Sequence, residues 1–267
     1  MTAFPLVLAD SATMLRRNVR RMRRYPSLTF FIAGIPLVFL LLFVYVFGGT
    51  LGAGLGGASG GRADYIAYII PGILLLTVAG AAQGTAITVA MDMTEGIIAR
   101  FRTMAVARSS VLAGHVLGSV IQTVIAVAVV VGVALLIGFR PTTGPAEWLG
   151  AIGLLALAAF ALAWLSVALG MVASSVETAS NLPMPLMLLP FFGSGFVPTD
   201  SMPDALRWFA DNQPFTPIIE TLRGLLFGSS IGANGILAVG WCLAISVVGY
   251  LWATRLYDRN PTVRTSS

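Results

Sequence analysis

The chain has 267 residues, of which 57% are hydrophobic and 10% are charged, and its formal net charge is +5. Soluble domains carry about 25% charged residues, so the composition excludes an ordinary soluble fold. Every one of the sixteen basic residues is an arginine. Because the phosphate-binding loop of P-loop ATPases requires a lysine, the chain cannot complete that loop and is not expected to hydrolyse ATP by itself.

The N-terminal segment, residues 4–24, predicts an amphipathic helix ahead of the first apolar stretch. Hydrophobic residues such as Leu8, Ala12 and Leu15 recur at steps of three and four. The other side of this helix carries the basic residues Arg16, Arg17, Arg20 and Arg21. Such a helix lies in the membrane interface with its arginines among anionic headgroups. The alternative is a plain positively charged anchor before a membrane span.

Six apolar segments are interpreted as membrane spans, so we expect one all-α integral membrane domain with six transmembrane helices. The spans cover residues 28–48, 65–90, 111–139, 148–174, 182–196 and 236–256. The fifth segment is short and contains three prolines, Pro183, Pro185 and Pro190, so it is expected to be kinked. The glycine-rich residues 48–61 are expected to form a flexible external loop.

Residues 198–228 predict a re-entrant helical hairpin before the last span. Helix starts are expected near Asp204 and at Thr216-Pro217, and Gly228 is a typical helix stop. Each helix is too short to cross the membrane, although the second is strongly apolar. We therefore expect the hairpin to enter the membrane and return on the same side.

Glu220 and Arg223 lie three residues apart on the second hairpin helix. The simpler interpretation is a local ion pair on one helix face. The alternative interpretation is an external gate.

The arginines predict the orientation. Twelve of the sixteen fall on the side that holds both termini when there are six spans, and four (Arg62, Arg140, Arg207 and Arg223) fall on the other side. Because cytoplasmic loops carry the excess of arginine, both termini are expected in the cytoplasm. The basic character thus reports membrane orientation, and we expect no nucleic-acid partner.

The segment between the second and third spans, residues 92–104, predicts a short cytoplasmic helix. Ile97, Ile98, Phe101 and Met104 form one apolar face. Such a helix suits docking into a groove on a soluble partner. The alternative is a loop that only connects the two spans.

Here the sequence resembles a known family. The run MTEGIIARFRTMAVARSSVLAGHVLGSVI, residues 93–121, is similar to the permease subunits of type-2 ABC exporters, especially the daunorubicin-resistance group. The six-span layout, the amphipathic N-terminal helix and the hairpin before the last span resemble the same family.

The resemblance implies a partnership and a function. Two permease subunits, identical or related, would each rest on a separate ATPase, giving two ATPase copies that hold ATP and magnesium, while this chain binds no cofactor. The expected location is the bacterial cytoplasmic membrane, and the expected substrates are drugs, lipids or glycolipids exported by alternating access. The residues matching the coupling helix that enters the ATPase are Asp92, Glu95, Gly96, Ile97, Arg100, Phe101, Arg102 and Met104.

The resemblance also implies that spans one, two and five line the path. The candidate wall residues are apolar: Phe30, Phe31, Phe39, Phe43, Met184, Met187, Phe191 and Phe192. Aromatic and methionine side chains tolerate varied amphipathic substrates. Each of them can equally be an ordinary lipid-facing or packing residue. Gln83, Thr85 and Thr88 of span two are candidate polar path residues, or they hydrogen-bond a neighbouring helix.

Two other classes of function are weighed against an exporter. An ion-coupled transporter needs ionisable residues in the middle of its spans, and we find none there, since His115 falls near a cytoplasmic end. The run Gly193-Ser194-Gly195 resembles the nucleophile motif of a serine hydrolase, but the only histidine is expected on the opposite side of the membrane. One cysteine and one histidine also exclude a metal site of the usual Cys/His type.

Overall fold

The computed structural model describes residues 26–56, 61–95 and 108–259. The predicted interfacial helix at 4–24 therefore lies outside the described residues. The same holds for the coupling segment from residue 96 to residue 107.

Ten α-helices make up most of the described chain, and no β-strand occurs among the described residues. The helices are α1 (Pro26–Leu42), α2 (Gly48–Gly56), α3 (Arg62–Thr94), α4 (Arg108–Leu136), α5 (Pro145–Val172), α6 (Val176–Asn181), α7 (Met184–Leu188), α8 (Asp204–Asn212), α9 (Phe215–Phe227) and α10 (Asn234–Arg259). A π-helical turn, Phe43–Phe47, joins α1 to α2, and a 3₁₀ turn, Thr199–Ser201, precedes α8.

Five helical segments in the described ranges are long and apolar enough to cross a membrane. They are Ile32–Gly52, Arg62–Thr94, Leu112–Leu136, Pro145–Val172 and Asn234–Asp258. These segments confirm an all-helical, multi-pass membrane protein and coincide with predicted spans one, two, three, four and six. Several helices extend past the apolar stretch because polar residues and proline start them: Asp64 accepts the amide of Gly61 at 3.0 Å, and Pro145 opens α5.

Helix α3 is the centre of the bundle. In its most apolar stretch 83% of the residues are buried, compared with 28% in the corresponding stretches of α4 and α10. Helices α1, α4, α5, α6 and α9 all pack against it. Hydrophobicity gives no drive for helices to associate inside lipid, so close packing holds them together.

Glycines permit two of the closest approaches. A Cβ atom at Gly170 of α5 would lie 2.5 Å from the carbonyl oxygen of Ala86 in α3. A Cβ atom at Gly249 of α10 would lie 2.7 Å from the amide nitrogen of Leu165 in α5. Both neighbours are backbone atoms, which cannot move aside as a side-chain tip can. The two glycines therefore fix the stacking of α3, α5 and α10.

The direction of each helix follows from shared clusters. Late residues of three helices, Val89 of α3, Met171 of α5 and Tyr257 of α10, meet Leu112 from the start of α4 in one hydrophobic cluster. Helices α3, α5 and α10 are therefore parallel to one another and antiparallel to α4.

Helix α1 is antiparallel to α3. Ile32, near its start, lies against Gly84, and Gly48 lies against Arg62. We call the end of the bundle that holds the start of α4 the His115 end, and the opposite end the Arg140 end. Both ends of the described chain, Pro26 and Arg259, consequently lie at the His115 end.

The predicted fifth span, residues 182–196, is not one helix. The chain forms only the short helices α6 and α7 and then turns from Leu189 to Phe196. Proline cannot donate a backbone hydrogen bond and clashes with the preceding turn of a helix, and Pro183 and Pro190 fall at the two breaks. We call residues 189–196 the non-helical segment.

The non-helical segment nevertheless continues a path along α3. Ser180 of α6 accepts a hydrogen bond from Gln83, and Gly195 packs on Gly72, nearer the Arg140 end. The chain thus runs along α3 from the level of Gln83 to that of Gly72, about 16 Å, without a helix of spanning length.

The prediction of a flexible external loop at residues 48–61 was wrong for residues 48–56. The chain stays helical to Gly56, through the π turn and α2. A Cβ atom at Gly52 would lie 2.3 Å from the carbonyl oxygen of Gly61, just before α3. At this position glycine serves close packing between α2 and the start of α3, which a composition-based prediction of flexibility missed.

The two hairpin helices predicted at residues 198–228 are present as α8 and α9. Helix α9 begins at Phe215, one residue before the predicted start, and ends at Phe227. Gly228 caps it with a φ of 74°, which suits glycine. Ile219 and Leu222 of α9 are fully buried against the bundle, while Trp208 of α8 is 70% exposed. The hairpin therefore has one helix inside the bundle and one on its surface.

The close packing of α10 on α5 generates a prediction about stability. Replacing Gly249 by alanine forces apart backbone atoms and should lower the free energy of unfolding by about 1–3 kcal/mol. Gly240→Ala, on the same helix with nothing near its Cβ position, should leave stability unchanged or slightly higher. Thermal unfolding in detergent measures both. Equal melting temperatures for the two variants would contradict the packing described here.

Candidate functional site

A cavity of about 210 Å³ lies between α1 and α3. Its walls are Ile32, Ile35 and Pro36 of α1, Gly80, Gln83, Gly84, Ile87 and Thr88 of α3, Gln122 of α4, and Met187 of α7. Gly80 and Gly84 stand one helical turn apart, and they face Met187 and Ile32. This strip without side chains keeps the space open.

Three polar side chains line the cavity: Gln83, Thr88 and Gln122. The Nε2 atom of Gln83 donates to the carbonyl oxygen of Ser180 at 2.6 Å, which ties α3 to α6. The hydroxyl of Thr88 donates to its own helix at 2.9 Å. A mostly apolar cavity with a few oriented polar groups is typical of sites for small organic molecules.

Thr85, the third polar residue predicted for the path, faces another neighbour. Its hydroxyl lies 2.6 Å from the hydroxyl of Ser119 in α4, and it is almost fully buried. A hydrogen bond between two helices is the alternative that the sequence left open. Thr85 thus contributes to helix packing rather than to the cavity.

Four phenylalanines form a cluster beside the cavity: Phe39, Phe43, Phe191 and Phe196. Phe191 and Phe196 stack with ring centroids 4.4 Å apart, and Phe43 stacks on Phe196 at 5.0 Å. Phe39 meets Phe191 edge to face at 5.3 Å. Each such pair adds about 0.5–1.5 kcal/mol beyond the burial of its area. The phenylalanine cluster therefore holds the π turn after α1 against the non-helical segment.

The remaining residues that were predicted to line the path do not all lie in the same place. Met187 lines the cavity, while Met184 and Phe192 are 53% and 44% exposed on the surface of the bundle. Phe30 and Phe31 belong to α1, but their side chains lie outside the described part of the chain.

Side chains from the hairpin satisfy the backbone of the non-helical segment. The Nε2 atom of Gln213 donates to the carbonyl oxygen of Leu189 at 2.9 Å. A Cβ atom at Gly193 would lie 2.3 Å from the same Nε2 atom, so only glycine admits this contact. On the other side, a Cβ atom at Gly72 would lie 2.6 Å from the carbonyl oxygen of Gly195. The segment is therefore enclosed between α3 and the hairpin.

Arg223 joins three elements near the Arg140 end. Its Nη2 atom donates to the carbonyl oxygens of Ser194 at 2.9 Å and Tyr68 at 3.2 Å, and its Nη1 atom pairs with Glu220. The guanidinium also lies 4.1 Å from the centroid of the Tyr68 ring. We call Arg223, Glu220, Tyr68 and Ser194 the arginine node. It confirms the predicted Glu220–Arg223 pair and adds contacts to α3 and to the non-helical segment.

The predicted coupling residue Asp92 is not on a separate helix. It occupies the last turn of α3 and is 3% exposed, with its Oδ2 atom 3.3 Å from Nε2 of His115. This pair joins α3 to α4 at the His115 end. Glu95 caps α3 and is exposed, and the other predicted coupling residues (Gly96, Ile97, Arg100, Phe101, Arg102 and Met104) lie outside the described residues, as do Arg16, Arg17, Arg20 and Arg21.

Ser194 has no histidine beside it. The single histidine, His115, lies beside Asp92, which is twenty-four positions along α3 from Tyr68 of the arginine node. At 1.5 Å per residue this separation is about 36 Å. The hydroxyl of Ser194 has no hydrogen-bond partner among the described residues. The geometry therefore gives no support to a serine hydrolase.

Sequence reasoning missed Gln122, Gln213, Tyr68 and Phe196. Gln122 and Gln213 carried a usable signal, since an amide side chain within or beside an apolar helix calls for a partner or a cavity. Tyr68 and Phe196 carried none, because an aromatic residue in an apolar stretch is ordinary.

These features define a class: a multi-pass helical membrane protein with a mixed cavity between its helices and one non-helical segment inside the bundle. The chain belongs to the ABC-2 type transporter family, whose pattern matches residues 11–227.

Two relatives illustrate the similarity. The daunorubicin resistance ABC transporter permease protein DrrB1 of Streptomyces coeruleorubidus is 31% identical over 242 residues, which cover 89% of this chain and 81% of the relative. The probable doxorubicin resistance ABC transporter permease protein DrrC of Mycobacterium tuberculosis is 25% identical over 180 residues, which cover 67% of this chain and 65% of the relative.

The contacts of the arginine node predict that replacing Arg223 lowers the free energy of unfolding more than replacing an arginine on the surface. Arg223→Gln removes a cation from two partly buried hydrogen bonds to carbonyl oxygens and should lower the free energy of unfolding by about 1–3 kcal/mol. Arg207→Gln is the matched control: Arg207 pairs with Asp200 and Asp211 on the surface, where ion pairs are worth about 0–1 kcal/mol. Thermal unfolding in detergent compares them. A larger loss for Arg207→Gln would contradict the role assigned to the node.

Proposed function

We propose that this chain is the permease subunit of an ATP-driven exporter and that its substrate is a hydrophobic or amphipathic compound, such as a drug, a lipid or a glycolipid. The observation that carries the proposal is the cavity between α1, α3 and α7 in a member of the ABC-2 type transporter family. The named relatives, described as permeases of daunorubicin and doxorubicin resistance, support a drug.

The energy would come from a separate ATPase that binds ATP and magnesium. In the proposed assembly two ATPase subunits sit under two permease subunits, which form a homodimer or a related heterodimer. The segment from Glu95 to Met104 would dock in the ATPase, and the basic segment at residues 4–24 would lie along the cytoplasmic face of the membrane. The position of Glu95 at the end of α3 supports this assignment, because the segment that follows continues directly from the central helix.

The proposed orientation places the His115 end in the cytoplasm. Both ends of the described chain lie there, and the predicted excess of arginine belongs to the same side. The stretch formed by α6, α7 and the non-helical segment would cross the membrane as the fifth of six crossings in chain order. Helices α8 and α9 would form the external re-entrant hairpin.

Transport would use α3 as a rigid connection. This helix carries Gln83 and Thr88 at the cavity, and its last turn leads into the proposed coupling segment. Movement of the ATPase would shift α3 relative to α1 and open the cavity alternately to each side. The arginine node would act as the external gate, since it holds the non-helical segment closed over α3.

A first experiment tests the partnership. The tagged chain is purified in mild detergent from membranes of its own organism, and the co-purifying proteins are identified. We expect a stoichiometric protein with a complete phosphate-binding loop, reduced roughly tenfold by Phe101→Ala or Glu95→Ala, because a few central residues dominate an interface. Glu147→Ala, an exposed acidic change at the Arg140 end, is the control and should retain the partner.

The outcome separates the candidate mechanisms. A permease that purifies without any ATPase would contradict the proposal and favour an ion-coupled transporter. Efflux that stops on ATP depletion but survives collapse of the proton gradient would support the proposal independently.

A second experiment tests the cavity. Gly84→Leu fills part of the 210 Å³ space, and the nearest atom to its Cβ position is the tip of Ile32 at 3.6 Å, so the fold should accept it. Efflux of a fluorescent anthracycline should fall at least about tenfold while ATPase co-purification is unchanged. Gly240→Leu, on an open surface of α10, is the matched control. Normal efflux by Gly84→Leu would remove the cavity from the path.

A third experiment tests the gate. Glu220→Gln weakens the node while Arg223 keeps its two carbonyl acceptors, so folding should be nearly normal and the efflux rate should change. Unaltered efflux by Glu220→Gln would remove the gating role and leave the node a structural feature.

A further inference from the structure

A second, apolar groove lies on a different side of the bundle from the substrate cavity. It has a volume of about 300 Å³ and runs between α4 and α5, with Leu74 of α3 and Leu226 of α9 at its floor. The substrate cavity is formed instead by α1, α3 and α7 with Gln122 of α4. Sites for small molecules usually measure about 300–1,000 Å³, so the groove is large enough to hold part of a ligand.

The groove is too apolar to hold ordered water. Of its lining residues only Thr123 and Trp148 have polar side-chain atoms. The hydroxyl of Thr123 is already donated to the carbonyl oxygen of Ser119 at 2.8 Å. A buried water needs two to four polar partners, which this lining does not provide.

The groove is open at the outer surface of the bundle. Val124, Leu135 and Ile152 line it and are between 37% and 48% exposed. All three belong to helices that are long and apolar enough to cross a membrane. In a bilayer, lipid chains are the medium that faces such residues, and an unfilled groove would forfeit dispersion contacts along its whole length.

The length of the groove matches one leaflet. Along α4 it extends from Thr123 to Leu135, which is twelve residues or about 18 Å of helix. Half of a hydrocarbon core of about 30 Å is about 15 Å. A single acyl chain lying along the groove would therefore reach from the membrane surface to the middle of the bilayer.

A cation and an indole ring stand at the surface end of the groove. Arg140 is exposed, and its Nη1 atom donates to the carbonyl oxygen of Leu135, a groove residue, at 2.7 Å. The rest of the guanidinium is therefore held next to the groove mouth, where a lipid phosphate would lie. Trp148 lines the same region, and tryptophan favours the level of the headgroups.

We propose that the groove between α4 and α5 is a specific site for one membrane phospholipid, with an acyl chain along the groove and the headgroup phosphate at Arg140. The groove shares no wall residue with the substrate cavity. In this proposal the phospholipid stays bound to the bundle and is not the exported compound. The proposal does not depend on transport activity.

The test uses two glycines that differ only in their position. Gly132 lines the groove and has nothing within 4 Å of its Cβ position, so leucine there projects into the groove without a clash. Gly153 of α5 is equally free of neighbours but does not line the groove, and Gly153→Leu is the matched control. Ala128→Leu is a second groove variant, in case Gly132→Leu does not fold.

Each full-length variant is purified in mild detergent with any partner it retains, washed, and examined by native mass spectrometry for bound phospholipid. Dioleoylphosphatidylglycerol is then added back at graded concentrations. We expect one retained phospholipid per chain in the wild type and in Gly153→Leu, and at least about tenfold weaker retention in Gly132→Leu and Ala128→Leu. Arg140→Gln should weaken retention about fivefold, with recovery in Arg140→Lys.

Three outcomes would overturn the proposal. Equal retention by Gly132→Leu, Ala128→Leu and Gly153→Leu would show that the lipid lies elsewhere. Stoichiometric release of the phospholipid by daunorubicin would make the groove a substrate site. Conversion of a dimer into single chains by Gly132→Leu would make the groove an interface between two copies.

Discussion

Backbone polar groups inside a bilayer must find partners within the protein, and this constraint governs the part of the chain that is not helical. Within residues 189–196, Pro190 and the run from Gly193 to Phe196 are buried, so the backbone groups there depend on partners within the protein. Gln213 and Arg223 donate to the carbonyl oxygens of Leu189 and Ser194, and α3 covers the opposite side. Helix α9 carries Arg223, and Gln213 lies just before its start. The hairpin therefore supplies hydrogen-bond donors that the non-helical segment needs.

The same break places a segment without regular helical hydrogen bonds beside the proposed substrate cavity. The segment is held by a few side-chain contacts, by the phenylalanine cluster and by one glycine-to-glycine contact, whereas α3 is a continuous hydrogen-bonded rod. Elements with few internal hydrogen bonds open more readily than continuous helices. In the proposed mechanism α3 transmits movement from the cytoplasmic side, and the non-helical segment with its arginine node is the part that yields.

Several elements of the fold follow from the sequence, and others do not. Hydropathy located five spanning helices and the two hairpin helices, and the spacing of Glu220 and Arg223 predicted their ion pair. The prolines predicted a kink in the fifth span, but they did not predict two short helices followed by a turn. The glycines of residues 48–56 were misinterpreted, because glycine serves both flexible loops and tightly packed helices, and only the neighbouring backbone distinguishes the two.

By itself, the sequence determined the class of the molecule: apolar stretches of spanning length, arginines without lysine, and a short run shared with type-2 ABC exporters each depend on local composition or order. Only the tertiary structure decided which polar residues line the cavity. Gln83, Thr85 and Thr88 belong to one helix, yet Thr85 pairs with Ser119 while the other two face the cavity. The physical reason is that a residue's role in a bundle depends on which neighbouring helix its face meets, and that is set by contacts between segments far apart in the chain.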